Sequence, residues 1–124
     1  MNKTFIGIGA FIGAASVILG AFGAHALKEI VTPDHLVTFE TGVRYQFYHA
    51  LALILVGVLH KEFSGKLLGL AGILFMLGII LFSGSLYLLS TMPDMIWLGP
   101  VTPLGGACFI IGWVLFAVAC FKKY

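Results

Sequence analysis

LLGLAGILFMLGIILFSGSLYLL, Leu67 to Leu89, runs for 23 residues without a charged side chain. A helix needs roughly 20 residues to cross about 30 Å of hydrocarbon. Three further apolar runs flank it: Thr4–Leu27, Tyr45–Leu59 and Leu104–Phe121. The second is short for a span until Thr38–Arg44 is added to it. The chain is 60% hydrophobic and 10% charged, with a mean hydropathy of +1.10. Soluble domains are about one quarter charged, so these side chains cannot cover a water-facing surface and lipid is the expected solvent. Helices and closed barrels both satisfy every backbone amide in lipid. Barrel strands alternate over about ten residues, whereas these runs are continuous and longer. The expected fold is an all-α integral membrane protein of four transmembrane helices, approximately 4–27, 38–60, 66–89 and 103–121. They form a single four-helix domain over 1–124.

The first run also has the outline of a signal peptide: MNK, an apolar stretch, then Ala24-His25-Ala26. Its length matches a full span, and it is read as a retained first helix.

With four spans, Lys3, Lys61, Lys66, Lys122 and Lys123 fall on one side of the membrane, and Lys28 and Arg44 on the other. Basic residues accumulate in cytoplasmic segments, so both termini are expected inside (N-in/C-in). Trp97 and Tyr124 fit interfacial anchors on opposite sides. The small net charge of +2 forms no basic patch, and nucleic acid is not an expected partner.

Thr32-Pro33-Asp34 places an N-cap residue, a proline suited to the first helical position and a first-turn acid in register. Helix two is therefore expected to start at Pro33 and to extend beyond the bilayer at its outer end. Thr102-Pro103 repeats the signal for helix four. Gly9, Gly13, Ser16, Gly20 and Ala24 recur at helical steps in helix one, as do Gly65, Gly69 and Gly72 in helix three. Such stripes let helices approach closely, within one chain or between copies in a homo-oligomer. Gly42 sits in a polar stretch, where it lets a backbone or ligand come near. Cys108 and Cys120 lie twelve residues apart in one run, about 18 Å along a helix. That is beyond disulfide reach, and both are expected as small buried apolar residues.

The intramembrane polarity gathers at the outer ends of the helices: His25, then Glu40, Arg44, Tyr45, Tyr48 and His49, then Ser83, Ser85 and Tyr87. Glu40 and Arg44 are four apart, which suits an ion pair. A charge at membrane depth usually faces the bundle interior, so this face of helix two is expected to look inward, with Gln46 pointing elsewhere. Two readings stand. One is a polar clasp that ties the helix ends. The other is a binding or relay site open to the outer leaflet, with titratable histidines and an anion-holding Arg44. No catalytic residue is assigned, and no cofactor. His25, His49 and Glu40 lack the close spacing of a metal site, and His25 lies at a helix end rather than within a span, where a haem ligand would sit.

GAFGAHAL (20–27), TFETGVRYQFYHALALI (38–54), FSGSLYLL (82–89) and TPLGGACFIIGW (102–113) resemble the small bacterial membrane proteins of domain-of-unknown-function family 423, whose eukaryotic relatives are called transmembrane protein 256. The resemblance spans essentially the whole chain. It implies a four-span protein of the bacterial plasma membrane and brings no catalytic residue with it. The resulting expectation is a binding or assembly role, with membrane lipids as partners. A small transporter or channel for a proton-linked or lipid-like solute is the alternative.

Overall fold

A computed structural model describes residues 1–122. The expected roles of Lys123 and Tyr124 therefore fall outside the described residues. Every regular element in the described chain is helical: α1 Lys3–His25, α2 Pro33–Leu59, α3 Gly65–Gly78, α4 Gly84–Thr91 and α5 Val101–Phe121. Short 3₁₀ turns at Leu27–Glu29 and Ile96–Leu98 complete the chain, and a π turn at Ile79–Ser83 joins α3 to α4. Four helical segments are long and apolar enough to span a membrane: Lys3–Glu29, Pro33–Leu59, Gly65–Thr91 and Ile96–Phe121.

The helix starts follow local chemistry. Phe5 N–H donates to the Asn2 side chain at 3.1 Å, and His35 N–H to Thr32 Oγ1 at 3.3 Å, so both N-caps quiet a free first-turn donor. Pro33 occupies the first turn of α2 as expected. The second Thr-Pro pair behaves differently. α5 starts at Val101 after Pro100, and Thr102 turns its hydroxyl to Ser85 instead of capping.

α1 and α2 form an antiparallel pair packed on glycine. A side-chain carbon at Gly9 would meet Ile54 and the Ala50 carbonyl, and one at Gly57 would meet Ile6 and the Asn2 carbonyl. At that end the Asn2 N–H reaches the Gly57 carbonyl at 2.7 Å. At the far end Gly23 lies under Phe39. Gly9 and Gly23 of α1 are thus filled within the chain, by α2. α3 returns beside them, with Gly72 under the Phe5 ring, and α5 packs on α3 through Gly112 against Phe75. Gly78 and Gly105 receive Phe109 and the Phe82 backbone in the same way.

The chain start, the turn between α2 and α3 and the end of α5 therefore share one end of the bundle, here the termini end. The loops around 26–32 and 92–100 form the opposite, loop end. Phe5, Leu53, Val56, Leu68, Ala71, Phe75 and Ala119 make an apolar core toward the termini end. α2 is the central helix: 44% of its most apolar window is buried, against 17% for α1, which lies at the periphery. Neither cysteine is buried as expected. Cys108 is half-buried and Cys120 is exposed on α5, on a surface where a small apolar residue meets lipid without penalty.

Candidate functional site

The polar residues divide into a buried set that ties helices together and an exposed set that faces outward. Phe39, Gly42, Gln46, His49, Ala50, Leu53, Val56 and Gly57 form the buried stripe of α2. Gln46, 6% exposed, is its polar centre. Its amide nitrogen donates to the Ile12 carbonyl of α1 at 3.2 Å, and its carbonyl accepts from the Tyr87 hydroxyl of α4. Ser16 donates to the same Ile12 carbonyl at 2.9 Å. One amide therefore joins three helices.

His49 is 4% exposed and makes the second tie. Its Nδ1 lies 2.7 Å from the Tyr45 carbonyl, and the Trp113 indole N–H of α5 points at its Nε2 at 3.0 Å. An indole only donates and a carbonyl only accepts. The neutral ring with its proton on Nδ1 satisfies both partners. The ring also stacks on Phe109 with centroids 3.5 Å apart, and Phe75 packs against it at 5.5 Å.

Two serines close the set. Ser83, fully buried, donates to the Gly42 carbonyl at 2.7 Å. Gly42 also lies against the Tyr87 ring and the Ser83 carbonyl, so its missing side chain admits a neighbouring helix rather than a ligand. Ser85 donates to the Phe82 carbonyl at 2.9 Å and sits 2.5 Å from Thr102 Oγ1. The Ser85 proton being used, Thr102 is the donor in that pair. Among the described residues no buried side-chain nitrogen or oxygen lacks a partner.

The expected inward face of α2 is corrected by this arrangement. Glu40, Arg44 and Tyr48 are exposed, and the hydrogen bonds that run through Gln46, His49, Ser83, Ser85 and Tyr87 include none of the three. Gln46, expected to point away, points in. The rule that membrane charges face the interior is strongest at mid-bilayer. Gly20 of α1 meets Val43, which sets Arg44 about 9 Å below the end of α1 at His25. From there a long basic side chain reaches the interface along an apolar surface. His25 is the last residue of α1 and is exposed; it joins no cluster. Tyr45 is intermediate in character. It is 37% exposed, with its ring against Phe82 at 4.9 Å and Tyr48 at 5.7 Å.

Trp113 and Ser16 were not among the expected site residues. Trp113 carried a signal, since it falls midway along its span while tryptophan in membrane proteins concentrates at the interfaces. A mid-span indole needs an acceptor, and His49 supplies it.

Among the described residues, two surface openings lie near these groups. The larger, about 510 Å³, lies at the loop end between α2, α4 and α5, lined by His35, Thr38, Leu86, Leu89, Pro93 and Thr102 among others. The smaller, about 280 Å³, is a groove on the flank of α1 and α2 formed by Ser16, Val17, Val43, Arg44 and Phe47.

Comparison with known proteins agrees with this architecture. The family model described as "Protein of unknown function (DUF423)" matches residues 19–106. The chain is 47% identical to the UPF0382 membrane protein YwdK of Bacillus subtilis over 121 residues, 97% of this chain and 98% of the relative. It is 43% identical over 120 residues to a UPF0382 membrane protein of Staphylococcus aureus, covering 97% of each chain. A UPF0382 membrane protein of Staphylococcus haemolyticus is 42% identical, again over 97% of each chain. No solved structure matches.

Proposed function

The chain belongs to the DUF423 family of membrane proteins, and we propose from that premise that it is a binding protein of the bacterial plasma membrane. In this reading it takes a small amphipathic ligand at its loop end, and its buried polar residues hold the helices in place rather than carry out a reaction. The observation that carries the reading is the full internal partnering of the buried polar set beside an open cavity. His49, Ser83 and Ser85 each have a protein partner, so none is a free nucleophile or base. The apolar core toward the termini end speaks for binding over passage of a solute through the bundle.

The cavity has a definite chemistry. Leu86, Leu89, Pro93 and Pro103 give it apolar walls. Thr102 donates its proton to Ser85, and Thr38 donates its own to the Asp34 carbonyl at 3.2 Å. Both hydroxyl oxygens are left with acceptor capacity, and His35 adds an imidazole. At about 510 Å³ the volume lies within the usual range of small-molecule sites. A ligand with an apolar body and hydroxyl or amine donors suits these walls. The excess of lysines on the termini side supports cytoplasmic termini and a ligand that arrives from the outer face.

Native mass spectrometry of the protein released gently from detergent tests the reading. The expected spectrum carries a non-protein mass that Leu89→Trp, which fills the cavity, removes. A bare chain in every preparation, or a mass unaffected by Leu89→Trp, would overturn it.

A further inference from the structure

We propose that the flank groove between α1 and α2 is a binding site for an anionic phospholipid, with the phosphate held by Arg44 and one acyl chain laid along Ser16, Val17, Val43 and Phe47. The site is separate from the loop-end cavity and shares no residue with it.

Three observations converge. The groove is a formed concavity of about 280 Å³, on the least buried of the four spans. Its surface is apolar except at one rim. Val17 is 65% exposed and Phe47 39%, while the Ser16 hydroxyl is turned away to the Ile12 carbonyl. The hydrocarbon portion of the groove therefore offers nothing to a polar solute and suits an acyl chain. The rim carries Arg44, exposed and outside the hydrogen-bond network of the bundle. Guanidinium is permanently charged and matches phosphate oxygens in a two-point fork. From about 9 Å below the end of α1, its long side chain reaches toward the level where a phospholipid phosphate lies.

Glu40, one turn nearer the start of α2, is likewise exposed and does not line the groove. The contact between α1 and α2 is looser beside the groove than at Gly9: a side-chain carbon at Gly13 would sit 4.0 Å from Phe47, and one at Gly20 would sit 3.6 Å from Val43.

The test is native mass spectrometry of the delipidated full chain titrated with dioleoyl phosphatidylglycerol or dioleoyl phosphatidylcholine, which carry the same acyl chains. One basic residue near a membrane surface is worth about fivefold in binding to an anionic lipid. The first adduct is therefore expected about fivefold more populated with phosphatidylglycerol. Arg44→Gln should abolish the preference and Arg44→Lys should retain part of it. Val17→Trp, which fills the groove from its own lining, should reduce adducts of both lipids. Equal binding of the two lipids by the unaltered chain would overturn the proposal, as would a preference that survives Arg44→Gln. If Arg44→Gln does not fold, the Val17→Trp variant and the lipid comparison on the unaltered chain decide. A loop-end ligand lost on Leu89→Trp is unaffected by either result.

Discussion

Replacing Gln46 by Leu removes the amide that joins α1, α2 and α4. The Tyr87 hydroxyl then has no acceptor, and the Ile12 carbonyl keeps only Ser16. Side-chain hydrogen bonds between membrane helices average about 0.6 kcal/mol and reach about 1.7. A buried group left without a partner costs about 1–3 kcal/mol. With two bonds lost and one hydroxyl orphaned, Gln46→Leu should destabilise the protein by about 2 kcal/mol. Tyr87→Phe removes one bond and leaves the Gln46 carbonyl unpaired, for about 1 kcal/mol. The double variant contains neither orphan and should cost no more than Gln46→Leu alone, which gives a coupling of about 1 kcal/mol. Equilibrium unfolding in mixed detergent micelles, followed by circular dichroism, measures all four corners of this cycle. Independent sites add within about 0.3–0.5 kcal/mol. Additivity at that level would refute the Gln46–Tyr87 tie and with it the structural reading of the buried set.

Gly105→Ala drives a carbon into the Phe82 backbone and should cost about 1–3 kcal/mol by overpacking. Gly84→Ala has open space in a helix and should be neutral or stabilise by about 0.5–1 kcal/mol; thermal melts of the pair in detergent read the contrast. His49→Leu strands the Trp113 indole N–H and should both lower the melting temperature and shift Trp113 fluorescence, while Trp113→Phe restores part of the loss in the double variant. In a background with Cys108 and Cys120 replaced by alanine, cysteine at Glu62 should react with an impermeant maleimide only after cells are opened, and cysteine at Asp94 in intact cells. The reverse pattern would invert the proposed orientation.

The four spans and the start of α2 at Pro33 were legible because chain length, hydropathy and capping act locally. The facing of α2 was not. Its polar residues cover much of the helix circumference, and the charge rule favoured Glu40 and Arg44 for the interior. The decisive pattern was the neutral one, Gly42, Gln46, Ala50 and Gly57, small enough to let α1 and α4 close in, with one amide among them. Charged residues near the end of a span can reach water and need no interior partner. The pairing of His49 with Trp113, 64 positions apart, depends on how α5 lies beside α2, which no local pattern encodes. The π turn was equally hidden, because Ile79–Ser83 reads as ordinary apolar helix.

That turn has a consequence for how the third span is built. A π turn accommodates about one residue more than an α turn, and one residue of helix is about 100° of rotation. The first half of the span presents Leu68, Ala71, Gly72 and Phe75 to the apolar core, whereas the second half presents Ser83 and Tyr87 to α2 and Ser85 to α5. The two halves are written in different rotational phases, and a single residue of slack reconciles them. Deleting one residue from Ile79–Ser83 would let the turn close as ordinary α-helix with both halves still facing their partners, whereas winding all five residues as α-helix would rotate every polar contact of the second half by about 100°.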